Sequence, residues 1–168
     1  MAVNAATTSD PALLGIYLND HYAGATAGLE LFRRAAANHS GTSAGPVLER
    51  LTAEIAEDRQ SLREIMASLQ IPVQAYKVAG GWAAEKIGRL KPNGRLLSRS
   101  PLSSLIELEG MHLGVIGKAS GWHLLRKLAA TEPRLDAGKL DELLARAERQ
   151  TKELEELRLQ AGAEALAR

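Results

Sequence analysis

Apolar residues recur every three or four positions along most of this chain, the period that lines one face of an α-helix. In the second such stretch Leu48, Leu51, Ile55, Leu62, Ile65 and Leu69 keep an alternating three-and-four spacing, and the polar residue inside the series is Asp58. The first stretch, Leu14, Tyr17, His21, Gly24, Gly28, Leu31 and Ala35, puts His21 on its inner face beside two glycines that permit close helix approach. The last runs through Leu140, Leu143, Ala147, Gln150, Leu154, Leu157 and Ala161, with Gln150 as its polar member. Each pattern predicts a helix that turns one polar group toward the interior.

Punctuation sharpens the boundaries. Asp10-Pro11, Gly45-Pro46 and Ser100-Pro101 each set a cap-type residue before a proline, whose missing N–H and fixed φ suit the first helical position. Pro133 ends the third helix, and Asp136 opens a fourth rich in strong helix formers. β-branched residues are few and aromatics make up 4% of the chain, which disfavours sheet. The prediction is an all-α four-helix bundle in a single domain after a flexible N-terminus at 1–10, with helices at about 11–38, 46–69, 101–129 and 136–165. The short AANHSGTSAG turn makes the first two helices antiparallel.

The third helix is different. From Leu102 to Leu125 the residues able to carry charge are Glu107, Glu109, His112, Lys118 and His123, and a helix apolar nearly all round is expected to be buried. Gly110, Gly114, Gly117 and Gly121 recur at spacings of four, three and four, and each costs about 1 kcal/mol against alanine in a helix interior, so a neighbouring backbone is expected against them. Glu109 and His112 sit beside Leu105, Ile106, Leu113 and Ile116, where an unpaired carboxylate would be costly. They are expected to be paired.

Between the second and third helices, residues 70–100 form a long connection. Pro72, Gly80, Gly81, Pro92, Asn93 and Gly94 surround one amphipathic stretch, WAAEKIGRL, which predicts a short helix. Its charge is lopsided toward the basic. Lys86, Arg89, Lys91 and Arg95 are read either as solvated cations paired with helical carboxylates or as a surface for an anion or a protein partner.

Composition narrows the function classes. The 168 residues carry 21 basic and 20 acidic side chains, a formal charge of +1, so no global field draws the protein to nucleic acid or anionic lipid. The absence of cysteine removes disulfides and thiolate chemistry and fits a cytoplasmic location. MAVNAATTSD lacks the basic flank and apolar core of a signal peptide, and no apolar run approaches the roughly 20 residues of a membrane span. No phosphate loop follows a strand and no nucleophile elbow occurs, so an ordinary enzyme is not indicated.

The helices, the long connection between the second and third, and the ELEGMH stretch together resemble the ferritin-like superfamily of four-helix bundles, in particular the small uncharacterised ferritin-like proteins of bacteria. In metal-binding members two helices each give one glutamate and two others each give a Glu-x-x-His pair. Glu109 and His112 match one such pair; the second helix offers Glu54, Glu57 and Asp58 with no histidine, and the fourth offers Glu148 and Glu153 with none. The resemblance implies iron or manganese at Glu109 and His112 with Glu54, and the shared inward phase of His21, Asp58, Glu109 and His112 also suits a single zinc or iron site. The same residues read by themselves also form a hydrogen-bonded polar layer that fixes helix register.

Connectivity divides these readings. An up-down-up-down bundle levels His21, Asp58, His112 and Gln150 in one layer, whereas a connection that crosses the bundle levels Glu109 with Glu30, Glu54 and Glu153. The function expected is that of a non-catalytic binding or structural bundle, with a homo-oligomer or another protein as partner. A metal-carboxylate protein handling iron and oxygen is the alternative, and a small-molecule binder with a bundle cavity is a third.

Overall fold

The computed structural model describes residues 10–74 and 101–167. Those residues form four helices and no strand: α1 Pro11–Asn38, α2 Gly45–Ser68, α3 Pro101–Leu128 and α4 Ala137–Leu166. The short helix expected in the 70–100 connection, with Lys86, Arg89, Lys91 and Arg95, lies outside the described residues, as do residues 1–9.

Local chemistry explains where the helices begin and end. Asp10 caps α1, its Oδ1 accepting from the N–H of Ala12 and Leu13 before Pro11 starts the first turn. Asp136 does the same for α4 through the N–H of Lys139. Gly45 is not a cap but the first residue of α2; Ala44 precedes it without a side-chain cap, and a side chain at Gly45 would collide with the His39 carbonyl at 2.7 Å. At its far end α2 stops in a left-handed turn. Ile71 N–H donates to Met66 O and Gln70 N–H to Ala67 O, while Gln70 takes φ 61°.

Contacts along the helices fix their directions. Ile71 lies beside Gly15, and Arg59 donates to Thr26 and stacks over the Tyr22 ring, so α1 and α2 are antiparallel. A methyl group on Gly110 would meet Leu31 at 3.5 Å and one on Gly121 would meet His21 at 3.1 Å, so α3 is antiparallel to α1. Leu105 lies against Gly162 and Arg126 pairs with Asp141, so α4 is antiparallel to α3. It follows that α2 and α3 point the same way. The end of α2 and the start of α3 therefore lie at opposite ends of the bundle, about 40 Å apart for a 28-residue helix.

The core runs through Leu18, Phe32, Leu48, Leu51, Met66, Met111, Val115, Leu125, Leu140, Leu143 and Leu154. The inward series expected for α2 and α4 is observed, with Asp58 and Gln150 among its buried members. On α1 the core residues are Leu18, Tyr22, Leu29, Leu31, Phe32, Ala35 and Ala36, so the series built on His21 is largely the flank turned to α3 rather than the core face. α3 corrects the expectation of burial all round. It buries Leu108, Met111, Val115, Trp122 and Leu125 but leaves Leu113 67% exposed, with Ile116 and Leu124 exposed beside it. No described helix is long and apolar enough to cross a membrane.

Candidate functional site

Three helices meet at one buried carboxylate. Asp58, on the inward stripe of α2, is 1% exposed, and its Oδ2 accepts from Lys118 Nζ of α3 at 2.5 Å and from Gln150 Nε2 of α4 at 3.2 Å. Its Oδ1 accepts from Arg146 of α4 at 3.2 Å. Gln150, 0% exposed, uses both ends of its amide: Oε1 accepts from Lys118 at 2.5 Å, and Nε2 donates to Glu54 at 3.0 Å as well as to Asp58. Toward the surface the cluster continues through Arg50, which binds Glu54 at 3.0 Å and also Glu153, and through Arg146, which binds Glu57 at 2.8 Å. Because α2 and α4 are antiparallel, residues 50, 54 and 58 meet residues 153, 150 and 146 in order. The faces of α2 and α4 are thus joined by a polar ladder.

Lys118 supplies the positive charge inside this ladder. It occupies a core position of α3, one step in the buried series Leu108, Met111, Val115, Trp122 and Leu125. Burial pulls its ammonium below the usual lysine value, and Asp58 opposes that without cancelling it. Burial pushes Glu54 up, but the hydrogen bonds from Gln150 and Arg50 outweigh it and leave the carboxyl below its ordinary range. Taken together, Arg50, Lys118 and Arg146 set three cations against the carboxylates of Glu54, Glu57, Asp58 and Glu153. A buried carboxylate so engaged is satisfied by the protein itself.

The other residues singled out in the sequence lie elsewhere. Glu109 is not in apolar surroundings: its side chain is 47% exposed, 3.5 Å from Arg158, so the expected burial penalty does not arise. His112 stands with Nδ1 3.8 Å from Glu155 on α4. His21 packs its ring at 4.4 Å from that of Tyr17 and against the bare backbone of Gly121. Burial lowers the His21 pKa, with Asp20 opposing. Thus Asp58 and Glu54 share Gln150, while Glu109 and His112 face Arg158 and Glu155 of α4. Among the described residues no group of three or more His, Asp or Glu side chains is placed to hold a metal ion.

One buried polar residue, Asn19, falls outside the sequence reading. Asn19 fastens the chain after α2 to α1: Nδ2 donates to the carbonyls of Gly15 and Pro72, and Oδ1 accepts from Gln74 N–H at 2.7 Å. Trp122 buries its indole N–H with no acceptor in reach among the described residues. The signal for Lys118 was available in its spacing from Val115 and Trp122. Asn19 had none, because the two partners that fasten it to the chain after α2 are backbone groups distant in sequence.

Comparison with protein-family models, with curated proteins and with solved structures gives no match for this chain.

Proposed function

We propose that this chain is a ferritin-like four-helix bundle that works as a binding or structural protein, without chemistry of its own. The observation that carries the non-catalytic reading is Lys118. In a di-metal carboxylate bundle the inward carboxylates of facing helices surround metal cations. Here an ammonium on the chain takes that electrostatic role, held between Asp58 and Gln150, and Arg146 occupies the other oxygen of Asp58. The cluster holds α2, α3 and α4 in one register, the best attested use of buried ionic groups. The ferritin-like part rests on connectivity. Antiparallel pairs α1/α2 and α3/α4, with α2 and α3 pointing the same way, match a bundle with one long crossover connection.

Thermal unfolding of the whole chain, with and without manganese(II) or anaerobic iron(II), tests this reading, because a metal bound to the folded state raises the midpoint by mass action. The expected result is no metal-dependent shift. A rise of several degrees that disappears in a Glu109→Ala, His112→Ala variant would establish the metal-carboxylate alternative instead.

A further inference from the structure

We draw no further inference here: the strongest candidate, the apolar surface patch of Leu113, Ile116 and Leu124 on α3 with Leu13 and Ile16 on α1, carries nothing, because nothing among the described residues shows what covers it.

Discussion

Lys118 and Asp58 show how costly a buried charge becomes when its partner is removed. Lys118→Met leaves Asp58 with Arg146 and Gln150 in a site built for one more cation, and Asp58→Asn leaves the ammonium without its carboxylate. Each single change should cost about 3–5 kcal/mol in urea unfolding, and the double variant should cost clearly less than the sum, because replacing both members removes both uncompensated charges. Additive losses would mean the two groups do not act as a pair. His21 gives a pH signature. Its folded pKa lies below the ordinary 6.5, so between those two values the unfolded chain binds more protons than the folded one. Stability should therefore fall as pH drops below about 6.5, and His21→Gln should flatten that limb of the curve. An unchanged slope in the variant would remove His21 as the cause.

At the scale of elements, the end of α2 and the glycines of α3 separate a strained position from a packed one. Gln70 holds φ 61° in the left-handed region, where glycine has no steric penalty. Gln70→Gly should stabilise the protein by about 0.5–1 kcal/mol, the relief of that penalty less the entropy glycine adds to the unfolded chain. Gly121→Ala should destabilise by about 1 kcal/mol, since its methyl group would press on the His21 ring at 3.1 Å. Gly114→Ala, whose methyl group meets nothing among the described residues, should stabilise the protein by up to about 1 kcal/mol. These contrasts also show what the sequence could reveal. Helix positions were legible because Asp10, Pro11, Pro46, Pro101 and Asp136 mark the starts, and the inner faces of α2 and α4 were legible because those helices are amphipathic. The phase of α3 was not, since apolar residues on several sides leave the 3.6-residue period without a preferred direction. Leu113 and Ile116 appeared as core, and Glu109 and His112 with them, while the true inner face ran through Met111, Val115, Lys118 and Trp122. One error of phase moved the candidate site from Lys118 to Glu109.

For the whole molecule, connectivity decides which side chains share a level. With α2 and α3 pointing the same way, Glu109 does stand near the level of Leu31 and Arg158, as a crossing connection requires, but it points to the outer side, and the interior belongs to Asp58, Lys118 and Gln150. The most direct test of that account is elemental analysis of the protein purified without a histidine tag from cells supplied with iron and manganese. No stoichiometric metal is expected. One or two ions per chain, lost in the Glu109→Ala, His112→Ala variant, would contradict it.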